Sequence, residues 1–240
     1  METIGDNAMK NPFDYFDKIY CINLDSRADR WEQVQTEFEK IGIENKVIRV
    51  PAYYISNQGK KFMDFYDGKN KIHIPYHVGG HARFVRGASY DMSNAFACSL
   101  SHYKCFQDAK ENNYKKYLVF EDDVCFENYN SKLFSTALSE LPTDWEAFLL
   151  GCNDWNCSRV KSISDNIEKR NGFGCTHAIA INSNLYEKFE KEFNKRVIDA
   201  NTTRKRWWKR TDYFYSQITS RLYSLKNPFA FQNDSKSDIR

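Results

Sequence analysis

Proline and glycine are scarce, five and ten in 240 residues, which excludes a collagen-like or low-complexity chain. No apolar run reaches the ~18–20 residues of a bilayer-spanning helix. Met1 to Asp6 show neither the basic start nor the apolar stretch of a secretory leader, so none is expected there. The seven cysteines (Cys21, Cys98, Cys105, Cys125, Cys152, Cys157 and Cys175) make no C-x-x-C pair and are odd in number. Several lie in apolar runs, where a thiol behaves as a small buried hydrophobe, so the expected setting is reducing and cytoplasmic. The N-x-[ST] triplets at Asn156, Asn201 and Asn233 matter only in a secreted chain. Neither sign of charge dominates: 35 Lys and Arg face 32 Asp and Glu, a formal +3. That balance argues against a dedicated polyanion binder, and no nucleic-acid partner is expected.

Several motifs are missing as well. The chain has no G-x-G-x-x-G, no G-x-x-x-x-G-K-[ST], no G-x-S-x-G and no zinc-type Cys/His spacing. His73, His77 and His81 recur every four residues, but Pro75 and Gly79-Gly80 interrupt the helix that would align them as metal ligands.

What the chain does have is aromatic and apolar patterning, with 18 Phe, 15 Tyr and 5 Trp to fill a core. Lys18 to Leu24 reads as a strand buried on both faces, because its apolar residues are nearly continuous. Trp31, Val34, Phe38 and Ile41 then recur at helical steps, with Asp25 or Ser26 expected to cap the helix and Gly42 to end it. Lys46 to Val50 makes a second strand, so the chain opens as β-α-β with a parallel pair. Residues 54–92 show no sustained periodicity and are expected to be a long excursion beside the sheet. Helical spacing returns with Phe96, Leu100, Tyr103, Phe106 and Ala109. A strand at Tyr117 to Phe120, a helix around Phe134 and Leu138, strands at Ala147 to Leu150 and Thr176 to Ile181, and a helix through Leu185, Phe189 and Phe193 follow. This alternation predicts an α/β fold, a single domain over 1–240 with a mostly parallel sheet flanked by helices.

The sharpest local feature is Glu121-Asp122-Asp123 at the carboxyl end of a buried strand, the end beyond which open α/β sheets bind ligands. Three adjacent carboxylates call for a compensating cation, although an acidic triplet can equally be a solvated turn. On an extended segment Glu121 and Asp123 would face one way and Asp122 the other. Asn23 to Arg30 also follows a strand, and Arg27 and Arg30 could clamp a diphosphate or simply decorate a capped helix. Ser101-His102 sits on a helix, where such a histidine is more often a hydrogen-bonded packing residue than a catalyst. Arg204 to Arg210, within a basic-aromatic segment at 196–211, is a candidate for contact with nucleic acid, an anionic membrane or an acceptor, or a plain basic loop.

Together these segments resemble glycosyltransferase family 25, which includes bacterial lipooligosaccharide galactosyltransferases and procollagen galactosyltransferases. The likeness rests on Ile22-Asn23-Leu24-x-x-Arg27-x-x-Arg30, Cys98-x-x-Ser101-His102, Glu121-Asp122-Asp123, Gly174 to Ala178, Thr211-Asp212 and Ser237 to Ile239. It departs at Ala95-Phe96-Ala97, where relatives often carry Glu-x-Gly, and in the basic Trp-Trp run. The resemblance implies a GT-A type, Rossmann-like domain that is metal-dependent, with Mn²⁺ (or Mg²⁺) and a UDP-sugar donor, in the first instance UDP-galactose. It implies inverting transfer to a hydroxyl of a glycan, glycolipid or protein. On this reading Asp123 and Glu121 go to the metal, and Asn23, Arg27, Arg30, Asp122, Ser101 and His102 to the nucleotide. Asp212 is the candidate base and Asp154 its alternative. Two other readings stay open: an inactive carbohydrate- or nucleotide-sugar-binding module, and a metal-dependent nuclease.

Overall fold

The near-continuous apolar runs become central strands. The computed structural model describes residues 11–55, 62–66, 71–75, 92–153, 159–202 and 210–233. After a 3₁₀ turn at Pro12–Tyr15 come β1 (Lys18–Asn23), α1 (Ala28–Ile41), β2 (Val47–Pro51) and three short strands, β3 (Tyr54–Ile55), β4 (Phe62–Tyr66) and β5 (Lys71–Pro75). Next are α2 (Met92–Glu111), β6 (Lys116–Glu121), β7 (Val124–Phe126), α3 (Ser131–Glu140), β8 (Ala147–Leu149), β9 (Arg159–Ser162), β10 (Ile167–Arg170) and β11 (Ala178–Asn182). The last elements are α4 (Tyr186–Thr202), α5 (Thr211–Ile218), β12 (Leu222–Leu225) and β13 (Ala230–Gln232).

Among the described residues the main sheet has eight strands in the order β2-β1-β6-β11-β8-β12-β10-β9. β1 pairs in parallel with both β2 and β6, and β8 pairs in parallel with β12. Two strands run against the rest, β11 between β6 and β8, and β10 between β12 and β9. The expected α/β sheet with mostly parallel strands is therefore present. Side chains alternate between two cores: Ile19, Cys21, Leu118 and Phe120 meet α1 and α3, whereas Tyr20, Ile22, Tyr117 and Val119 meet α2, α4 and α5. Burial on both faces explains why these strands read as continuous apolar runs. Phe120 packs between Phe38 and Phe126, with ring centroids 5.5 and 5.4 Å away, and truncating such a side chain costs about 3–5 kcal/mol.

Some local expectations are corrected. The first helix does not start on an Asp25 or Ser26 cap: a turn from Leu24 O to Arg27 N delays it, and Asp25 pairs with Arg49 instead. Gly42 does end it, in the left-handed region at φ 69°, with its N–H on Glu39 O. The excursion at 54–92 contains the antiparallel sheet β3-β4-β5. Its strands are too short to show a period, although Asp67-Gly68 between the last two is a hairpin signal in the sequence. His73 lies on β5, a strand, while His77 and His81 fall outside the described residues. So does the Arg204 to Lys209 part of the basic run. Among the described residues no helix is long and apolar enough to cross a membrane.

A third sheet, of two strands, pairs β13 with β7 and is locked to the main one at Gly151. A Cβ on Gly151 would lie 1.7 Å from the Ala230 carbonyl oxygen and 2.9 Å from Nε2 of His177, which itself lies 3.2 Å from that oxygen. Gly172, by contrast, has room, with Ser216 Oγ at 3.6 Å. Gly151→Ala should therefore cost at least the ~1–3 kcal/mol of overpacking, whereas Gly172→Ala should stay within about 1 kcal/mol of the parent. Urea unfolding of the two variants checks this, and equal midpoints would refute the tight contact at Gly151.

Candidate active site

From β1 the chain first builds outward to β2 and then, through α2, enters β6 on the other side of β1. Such a reversal leaves a crevice at the carboxyl ends of the two strands. A cavity sits there. The end of β1 contributes Asn23 and Leu24, α1 contributes Arg30, the segment after β2 contributes Ala52 to Tyr54, and α2 contributes Cys98 and Ser101. Glu121, Asp122 and Asp123 all line it, together with Gln232 of β13. The expected alternation, with Asp122 turned away, does not hold, because the chain leaves β6 in a turn at 122–123 and the extended geometry ends there.

Each acid is held differently. Asp122 accepts from Asn23 Nδ2 at 2.7 Å and pairs with Arg30 at 3.0 Å, with both partners buried. Burial nevertheless keeps its pKa above the ordinary carboxylate value. Asp123 accepts from Gln232 Nε2 at 2.9 Å through Oδ2, while its buried Oδ1 has no partner. Burial, reinforced by the charge of Glu121, pushes Asp123 up to about 7. Burial also opposes ionisation of Glu121, but His102 Nε2 at 3.2 Å and the hydroxyl of Thr176 hold it below the ordinary value. The two neighbours are therefore shifted in opposite directions, Glu121 toward its charged form and Asp123 toward its protonated one.

The structure brings together most, though not all, of the residues singled out in the sequence. Asn23 bridges Asp122, the Arg27 carbonyl and Arg49. Arg30 is turned onto Asp122, while Arg27 pairs with Asp29 at 2.8 Å near the surface and is not among the cavity-lining residues. Ser101 donates to Ala97 O and accepts from Tyr53 N at 2.9 Å. His102 is buried, with Nε2 3.2 Å from Glu121 and Nδ1 3.5 Å from the Tyr215 hydroxyl. Asp212, at the start of α5, accepts from Tyr213 N at 2.7 Å and Cys175 N at 3.3 Å and pairs with Arg210 at 3.1 Å. It too is absent from the cavity lining, but its neighbour Thr211 reaches Cys98 Sγ at 3.2 Å. Asp154 lies outside the described residues.

Tyr53, Thr176 and Gln232 gained no specific role from the sequence. The tandem Tyr53-Tyr54 just past the end of β2 could have flagged the first, since that is a ligand-facing position in such sheets. Thr176 arrives because β11 runs antiparallel to β6, with Ala178 opposite Phe120, so the residues before β11 reach the end of β6. Gln232 arrives through a three-residue pairing that no local pattern announces.

A crevice at the switch point of an α/β sheet, lined by acids and two tyrosines, is the layout of an enzyme that takes a polar ligand. The profile of glycosyltransferase family 25 (LPS biosynthesis protein) matches residues 16–197, and the chain belongs to that family. Procollagen galactosyltransferase 1-A of Xenopus laevis is 31% identical over 147 residues, 57% of this chain and 21% of that protein. A glycosyltransferase 25 family member of Drosophila melanogaster is 29% identical over 119 residues, 47% and 17% of the two chains. Human procollagen galactosyltransferase 2 is 27% identical over 140 residues, 57% and 21%. The matches span about a fifth of the length of these curated relatives. A solved glycosyltransferase involved in glycosylation of the major capsid of PBCV-1 overlays loosely, with TM-score 0.44 and 11% identity over 92% of this chain and 93% of that one.

Two outcomes follow from the charge arrangement. Arg30→Gln strips the buried Asp122 of its cation and should cost about 3 kcal/mol at pH 7. For Asp123 the folded-state value lies above that of the unfolded chain, so the folded form binds the proton more tightly. Its penalty is fully present above about pH 7 and disappears as the pH falls toward 4. With chelator present, Asp123→Asn should therefore be more stable than the parent at pH 8, and the two should converge toward pH 4–5. Urea unfolding across that range tests both, and a gap that does not change with pH would refute the Asp123 assignment.

Proposed function

We propose that this chain is a metal-dependent, inverting glycosyltransferase that moves a sugar from a UDP-sugar to a hydroxyl of a glycan, glycolipid or protein. The observation that carries the reading is the buried, unpartnered Oδ1 of Asp123 in the lining of the switch-point cavity. Three carboxylates share that cavity with the single guanidinium of Arg30, an all-oxygen, net-negative set that suits Mn²⁺ or Mg²⁺. Asp123 and Glu121 would hold the ion, which when bound supplies Lewis-acid stabilisation of the departing diphosphate. The galactosyltransferase names of the relatives favour galactose as the sugar.

The remaining work falls to the protein's own groups. Arg30 and Asn23 fix Asp122 at the donor end of the cavity. Tyr53 and the half-exposed Tyr54 offer aromatic faces to a nucleobase. Ser101 ties Tyr53 to α2 and so sets that wall of the site. Asp212 takes the acceptor proton as the hydroxyl attacks C1 from the opposite face, held for that role by Cys175 N–H and Arg210.

Thermal unfolding against UDP-, GDP- and CMP-sugars, with Mn²⁺ and with EDTA, tests the donor half. A ligand at about 100 times its Kd adds ~2.7 kcal/mol, a rise of a few degrees. UDP-galactose should produce it only with Mn²⁺, and Asp123→Ala should lose it. No shift with any nucleotide sugar would overturn the reading. A shift without transfer to any acceptor, unaffected by Asp212→Asn, would leave a binding module.

A further inference from the structure

We propose that Cys98, His102 and Glu121 form a second cation site, for a borderline-soft ion of the zinc class. Cys98 and His102 are one helical turn apart on α2, so both project from the same face toward the end of β6. His102 Nε2 lies 3.2 Å and Cys98 Sγ 3.8 Å from the same oxygen of Glu121, and the three donor atoms all fall within 4.8 Å of one another. Tetrahedral zinc, with bonds of about 2.0–2.3 Å, spaces its donors roughly 3.4–3.6 Å apart. Closing this set around one ion therefore takes side-chain shifts on the order of 1 Å.

The surroundings fit as well. A metal-bound histidine steadies its other ring nitrogen on a neighbour, and Tyr215 OH stands 3.5 Å from His102 Nδ1. Thr176 donates to the Glu121 oxygen that faces the thiol and imidazole. Cys98 and Glu121 both line the cavity, so an ion can reach them from it. One sulfur, one nitrogen and one oxygen make a zinc-type set, unlike the all-oxygen group at Asp123. The C-x₃-H spacing matches none of the zinc motifs sought in the sequence, because its third member is 19 residues further on, on a strand. This site does not rest on the transferase reading, although it shares Glu121 and one wall of the cavity with it.

Co²⁺, the spectroscopic stand-in for zinc, gives the test on the full chain after chelator treatment. One equivalent should produce tetrahedral visible bands and a thiolate-to-metal band in the near ultraviolet, both abolished by one equivalent of Zn²⁺. Cys98→Ser should lose the near-ultraviolet band and weaken Zn²⁺ at least tenfold, while Cys125→Ser and Asp123→Ala keep it. Retention in Asp123→Ala, which lacks the proposed Mn²⁺ ligand, separates this outcome from that of the donor experiment. Zinc X-ray absorption on the unaltered chain is the second readout and should show one sulfur in the first shell. A shell of nitrogen and oxygen only, or a near-ultraviolet band that survives Cys98→Ser, would overturn the proposal.

Discussion

Mutual repulsion among three consecutive carboxylates at the end of β6 is the constraint around which this end of the molecule is built. Left alone, they would not stay together away from water. Each is answered from a different direction. α2 and the residues before β11 hold Glu121, β1 and α1 hold Asp122, and β13 holds Asp123. The answers are unequal. Asp122 receives a full positive charge, whereas Asp123 receives one amide and keeps an oxygen with nothing to bind. That inequality gives the cavity its chemical direction, since among the three acids the unmet demand lies with Oδ1 of Asp123.

The sheet makes the arrangement affordable in space. A purely parallel sheet would have placed the start of β11 at the far edge, with no threonine or histidine backbone near Glu121. Because β11 is reversed, its leading residues arrive at the acidic end, and Glu121 N–H closes on the His177 carbonyl at 3.1 Å. Cys175 in the same segment adopts φ 65°, a left-handed conformation that costs a non-glycine residue on the order of 1 kcal/mol. Its N–H meets Asp212 there. Three consecutive residues, Cys175 to His177, thus touch both Glu121 and Asp212.

Much of this was legible along the chain. The opening β-α-β unit, the double-faced strands and the acidic strand end all follow from local pattern, because burial on two faces and helical spacing are written in consecutive residues. So was the family, through several short motifs spread along most of the chain. What could not be read is what depends on pairing across the sheet. Gln232 meets Asp123 only because β13 lies on β7, and Thr176 meets Glu121 only because of the direction of β11. Arg27 and Arg30 looked equivalent three residues apart, yet the helix turns one inward and leaves the other at the surface. The alternation argument for the triplet failed for a simpler reason: the strand ends at its first member.

The contact between Gln232 and Asp123 also has a meaning in time. The two residues are 109 positions apart, and at ribosomal speeds of 5–20 residues per second the second follows the first by roughly 5–20 s. During that interval β1, α1 and β6 are all available to assemble, and Asp122 can find Arg30 and Asn23. Asp123 cannot be completed. Until β13 has been made, the acidic end of β6 therefore carries all three of its carboxylates but lacks the amide that answers Asp123.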